Sequence, residues 1–272
     1  MMVDKTTACM FAAGVAFATM AAGTSGWASA EASDGDPGFY LRGAVGYEAS
    51  ESTTFSDRDC ARVSPPALFG CVDGIDGQPI GGRGDFGRSI AIEGGIGFRP
   101  LPALRLEAVL AHRPHFSFSG DANFLGIQGG QPVDGDVSQT SAMIFGYVDL
   151  GPLLDIDLGR FEPFVGAGFG AARNTVGSVT YSFPDHTNPG FSRTSGGSRI
   201  DPAWAVTLGT GIRLTDSIVF DLSYRYSDYG SIQTDPGPLR VVRGNFDTTI
   251  DIDATEARLT SHAAMTAIRY SF

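Results

Sequence analysis

Eight segments of this 272-residue chain alternate apolar and polar residues at period two, the spacing of a half-buried strand. They run 38–50, 89–100, 103–113, 139–151, 161–173, 202–215, 217–230 and 257–272. No long segment of 3.6-residue period competes with them. The connections alternate as well. "RPLPA", "GPLLDIDLGR" and "TDS" are short. The other four, 51–88, 114–138, 174–201 and 231–256, are long, each on the order of 25–40 residues. Connections of that length argue against an assignment unless they recur for a reason. Here every second one is long, so an antiparallel order gathers all four at one end and the three short turns at the other.

This plan predicts an all-β chain, an eight-stranded antiparallel up-and-down transmembrane β-barrel with short periplasmic turns and long extracellular loops. The mean hydropathy of +0.01 fits it, because half of each strand is polar. The phase of the alternation is set at the C-terminus. If Ile268, Tyr270 and Phe272 face outward, Arg269 faces the lumen. The same phase puts Phe39, Leu41, Val45 and Tyr47 outside with Arg42 inside. It puts Ile90, Ile92, Ile96 and Phe98 opposite Glu93, and Leu104, Leu106 and Leu110 opposite Arg105 and Glu107. Trp204, Val206, Leu208 and Ile212 oppose Thr207 and Arg213; Ile218, Phe220, Leu222, Tyr224 and Tyr226 oppose Asp221, Ser223 and Arg225. The fourth and fifth strands alternate less cleanly, with Asp149 as the lumen carboxylate. The expected lumen set is therefore Arg42, Glu93, Arg105, Glu107, Asp149, Asp221, Arg225 and Arg269. Its signs balance, which predicts a buried ion-pair network plugging a narrow barrel. A soluble lipocalin-like barrel would invert the faces, and alternation alone leaves it open.

The first 30 residues have the layout of a secretory signal peptide: Lys5, an apolar run from Ala8 to Gly23, and an A-x-A site at Ala28 and Ala30. The alternative is a single transmembrane anchor, but the run is shorter than the roughly 20 residues a spanning helix needs. Residues 31–272 would form the barrel domain. Export makes a disulfide the expected state of Cys60 and Cys71, two free thiols being the alternative. A formal charge of −11, with Lys5 the only lysine, excludes a nucleic-acid partner on electrostatic grounds.

At "FVGAGFGAA" (Phe164–Ala172), "LSYRYSDYG" (Leu222–Gly230) and the closing "IRYSF", the sequence resembles the opacity-protein-like, OmpA-type family of eight-stranded outer-membrane barrels. The resemblance covers the mature chain in its strand–loop plan. It implies that Phe272, supported by Tyr270 and Ile268, belongs to the signal read by the outer-membrane assembly machinery. Because the chain ends with the last strand, a peptidoglycan-binding domain is not expected. The Cys60–Cys71 pair is not part of the family pattern.

Other motifs carry less. "GAGFGA" matches a dinucleotide fingerprint but lacks the following helix, so small inward residues easing close packing explain it better. "RGD" (Arg83–Asp85) suggests an adhesive contact. Asp73, Asp76 and Asp85 could hold calcium but lack loop spacing. His112 and His115 lack a third metal ligand. The expected function is a structural or surface-interaction role in the cell outer membrane, with no enzymatic activity and no cofactor. The expected partners are outer-membrane lipid, the assembly machinery and an extracellular or host ligand met by the loops; the protein is expected to be a monomer. The alternatives are a narrow porin-like pore, a lipid-active enzyme drawing on His112 or Ser227, and a soluble binder.

Overall fold

The computed structural model describes residues 38–127 and 129–272. The proposed signal peptide and its cleavage site, Ala28 and Ala30, lie outside the described residues. The elements in chain order are β1 (Gly38–Ser50), β2 (Ser52–Asp57), β3 (Gly82–Asp85), β4 (Arg88–Leu101), β5 (Leu104–Ala122) and β6 (Pro132–Asp149), then α1 (Leu150–Leu154). They continue as β7 (Phe161–Val176), β8 (Thr180–Phe183), β9 (Gly190–Arg193), β10 (Gly197–Arg213), β11 (Ile218–Gln233), β12 (Gly237–Arg243), β13 (Phe246–Ile252) and β14 (Thr255–Ser271).

Eight of these strands close an antiparallel ring in the order β1, β4, β5, β6, β7, β10, β11, β14. β14 pairs back onto β1 from Tyr40↔Ser271 to Ser50↔Ser261, so no edge remains in the wall. Side chains alternate across it. Leu41, Ile92, Leu110, Ile144, Val206 and Ile268 are exposed on the outside, while Arg42, Glu93, Arg105 and Arg269 are buried inside. The sequence phase and the observed faces agree in every strand for which a phase was assigned.

β6 and β7 alternate poorly in sequence because both of their faces carry apolar residues. Met143, Phe145 and Tyr147 point inward, as does Phe164. Opposite these rings the neighbouring strand supplies glycine: Phe145↔Gly168, Tyr147↔Gly166 and Phe164↔Gly209. A Cβ at Gly168 would lie 2.5 Å from the Phe145 ring, and one at Gly166 the same distance from Tyr147. Glycine opposite an inward ring recurs at Tyr40↔Gly97. The GAGFGA stretch is thus the seat of two aromatic side chains.

The walls are longer than a membrane requires. β5 has 19 residues and β6 has 18, against roughly 9–11 for a tilted spanning strand. This corrects the extents predicted for the long connections. Residues 114–138 are mostly strand, with β5 and β6 paired as far as Asp121↔Pro132, because the period-two pattern continues beyond a bulge at Arg113/Phe116. Within 51–88, β2 and β3 form a hairpin between β14 and the far end of β5. Within 174–201, β8 joins β6 and β9; within 231–256, β12 joins β9 and β13. These short strands carry the wall upward as a crown. At the opposite end the 150–160 connection contains α1, closed by Asp155 in the left-handed conformation.

Candidate functional site

The lumen brings the eight predicted charged residues together. Arg42 pairs with Glu93 at 3.0 Å and lies 3.7 Å from Glu107. Arg105 pairs with Asp149 at 2.8 Å, and Arg269 with Asp221 at 2.8 Å. Arg225 reaches Glu93 at 2.5 Å. Sequence reasoning missed two members of this group. Arg113 sits against Glu48, and 3.5 Å from Glu93. Both lie on the inward phase, eight residues beyond Arg105 and six beyond Arg42, so extending the alternation would have found them. Five buried guanidiniums (42, 105, 113, 225, 269) therefore meet five buried carboxylates (48, 93, 107, 149, 221). Glu93 is the hub, facing three arginines. At the short-turn mouth Glu162 joins Arg213 at 2.8 Å and Arg269 at 3.1 Å, and Arg99 joins Asp149 at 3.4 Å.

The arginines also lie on the inward rings. The Arg105 guanidinium is 4.9 Å from the centroids of Tyr147 and Phe164, Arg225 is 4.7 Å from Phe145, and Arg113 is 4.5 Å from Tyr229. Tyr40 donates to Glu107 at 2.7 Å. Glycine, ring and guanidinium thus form successive layers from wall to centre. The cation–π contacts add to the ion pairs because the rings exclude water from the same face.

Above the ion pairs the interior turns apolar. Phe55, Phe86, Phe116, Phe118, Tyr181 and Phe183 are buried there, with Phe55 and Phe118 centroids 4.9 Å apart. The β2–β3 connection covers this end. The Asp57 carboxylate accepts backbone N–H bonds from Leu68, Phe69 and Gly70 at 2.8, 2.9 and 2.7 Å. That clamp turns Phe69 onto Phe124 and Tyr181. Cys60 and Cys71 form a disulfide in the same segment. Between Arg42, Arg105, Tyr147, Phe164 and Arg225 lies a cavity of about 10 Å³, and a wider one of about 400 Å³ opens at the short-turn mouth beside Arg99, Asp149, Glu162 and Arg213.

Outside, aromatic residues gather at two levels. Phe39 with Phe98 and Tyr270 with Phe272 lie toward the short turns. Trp204, Tyr226 and His262 lie toward the crown. Eight residues of β14 separate His262 from Tyr270, about 27 Å along the strand or roughly 20 Å after barrel tilt. A charged interior, an apolar exterior and two aromatic girdles invert the soluble barrel and match a membrane-spanning one. Residues 11–259 match the family model for the outer membrane protein beta-barrel domain.

The chain belongs to this family.

This outer-membrane barrel is 27% identical over 208 residues to outer membrane protein PagN of Salmonella typhimurium, covering 74% of this chain and 79% of that one. Among solved structures, the outer membrane protein OprG from Pseudomonas aeruginosa aligns with a TM-score of 0.48 at 13% identity, over 86% of this chain and 95% of that one. Neisserial surface protein A aligns with a TM-score of 0.43 at 13% identity, over 88% and 99%. The bacterial outer membrane is its location.

The remaining motifs do not assemble in this outer-membrane barrel. Arg83–Asp85 lies in β3, paired on both sides, with Arg83 bonded to Asp76 at 2.9 Å. Among the described residues, no three His, Cys, Asp or Glu side chains gather as a metal site. His112 is on the outer face, bonded to Thr140 at 2.9 Å, whereas Ser227 is buried in the lumen. The wall separates them, so they share no site. Ile268, Tyr270 and Phe272 are exposed on the outer face of the closing strand.

Proposed function

We propose that this outer-membrane barrel is a surface-interaction protein, a stopped scaffold that holds a structured crown outside the cell. The observation that supports this reading is the filled interior. A cavity of about 10 Å³ holds at most one water, and the aromatic layer capped by Phe69 closes the crown end. A pore would need a continuous path past both layers. With solute passage closed, the crown hairpins are the parts of the chain left to meet a ligand. The wall faces outer-membrane lipid, the protein acts as a non-enzymatic monomer, and Phe272 with Tyr270 and Ile268 leads the closing strand into assembly. In a planar bilayer the refolded protein is expected to show no stable conductance; a steady open channel would replace this reading with the pore. An Asn245→Cys variant on intact cells should react with a membrane-impermeant maleimide, and protection there would place the crown in the periplasm.

A further inference from the structure

The ring has no edge, but the crown has one. β13 pairs with β12 from Gly237↔Ile252 to Arg243↔Phe246 and with no other strand among the described residues. Its far side leaves the backbone groups of "FDTTIDI" (Phe246–Ile252) without a sheet partner. Phe246 and Ile250 are 58% and 48% exposed. Natural edges of this length are blunted by proline, charged side chains, above all lysine, a bulge or a covering loop; the charges here are Asp247 and Asp251. β13 contains no proline and no basic residue, and its register with β12 is unbroken. The hairpin at β2 and β3 offers a contrast, since β14 and β5 flank it on both sides.

The alternation of β13 specifies what fits. Asp247, Thr249 and Asp251 share one face; Phe246, Thr248 and Ile250 share the other. A second copy pairing antiparallel about Thr249 would set Asp247 directly against the copy's Asp251, twice, and like charges opposite each other oppose pairing. Arg240 of β12 compensates Asp247 at 2.7 Å, but Asp251 has no ion-pair partner among the described residues. The strand that suits this edge carries Lys or Arg opposite the aspartates and apolar residues between them.

We propose that β13 is a strand-addition site for an extended segment of another protein, basic and apolar in alternation. Main-chain bonds to the edge supply affinity and the two aspartates supply selection. This rests on the proposed outward orientation of the crown, although the edge itself does not.

The test uses the full chain, refolded in detergent, where both sides of the barrel are accessible. The probe is an eight-residue peptide alternating Lys and Val. Its counterparts replace every Lys by Glu, or place Pro at the centre. The Lys/Val peptide should bind, slow amide exchange within Phe246–Ile252, and weaken with salt. Asp247→Lys with Asp251→Lys should lower its affinity at least tenfold, in protein whose heat-modifiable gel migration shows a folded barrel. The Glu/Val and Pro-containing peptides should bind at least tenfold more weakly. Absence of binding, equal binding of the Glu/Val peptide, or binding without protection at β13 would overturn the proposal. Concentration-dependent dimers with β13 protected in the absence of peptide would overturn it in favour of a second copy. The maleimide result at Asn245→Cys reports orientation separately, so failure of the edge and failure of the outward crown give different outcomes.

Discussion

At the scale of single residues, Glu93 and Gly168 state what the lumen demands. Glu93 is buried among Arg42, Arg113 and Arg225. Glu93→Gln leaves buried guanidiniums short of one charge, which is expected to cost about 3–5 kcal/mol, measured by urea unfolding of protein refolded in vesicles. Gly168→Ala forces a methyl group against the Phe145 ring and is expected to cost about 1–3 kcal/mol. Gly43→Ala is the control: nothing lies within 4 Å of a Cβ there, and the effect should stay within about 0.5 kcal/mol. Equal losses at both glycines would contradict the ring-seat account. In the crown, Asp76 accepts from the Asn123 side chain and from the Gln78 backbone, and Arg83 stands beside it; these hold its carboxyl below the usual carboxylate range, the Asn123 bond first. Its folded-state pKa is depressed, so its contribution is complete above the ordinary aspartate range and is lost as pH falls through the lowered value. Protection of the Gln78 amide, corrected for the intrinsic pH dependence of exchange, should therefore fall only on acidification below the ordinary aspartate range, and Asn123→Ala should shrink that pH dependence.

At the scale of elements, the disulfide and the hairpins divide the labour of the crown. The Cys60–Cys71 bridge closes a span of 11 residues, worth about 2–3 kcal/mol of loop entropy. Cys60→Ser with Cys71→Ser should hasten protease cleavage between Arg58 and Gly81 by about tenfold or more, with no change in barrel migration on gels. Collapse of the barrel in that variant would show that the bridge supports the wall as well. The same scale shows what could be read from sequence. The ring strands were legible because a buried charge and an apolar exterior impose one phase on every residue, and Arg269 was enough to set it. The fourth and fifth strands were obscure because Phe145, Tyr147 and Phe164 are apolar on the inner face, and only the glycines across from them explain how they fit. β2, β3, β8, β9, β12 and β13 were not legible at all. Each is a run of four to seven residues whose pairing depends on a neighbour supplied by a distant part of the chain. The lumen charges were predicted one at a time, but their partners were not, since pairing of Arg225 with Glu93 follows from ring order and not from spacing.

At the scale of the whole molecule, two kinds of interior share one barrel. Ion pairs fill the part flanked by the girdles, and aromatic packing fills the part that continues into the crown. Heating in detergent should shift the protein between compact and extended gel mobilities in one step. Separate steps for the crown and the wall would show that the two interiors melt independently. The continuity of wall and crown also bears on how such a protein can change over generations. Because β2, β3, β8, β9 and β12 each have neighbours on both sides, an inserted residue within them would slip the register and turn inward groups outward. The spans 58–81, 123–131, 184–189 and 244–245 are the tips of the hairpins β2–β3, β5–β6, β8–β9 and β12–β13 and are part of no strand. Lineages descending from this chain are therefore expected to gain and lose residues at those four tips while the lengths between them stay fixed, so that the surface met by the outside world diversifies and the vessel beneath it does not.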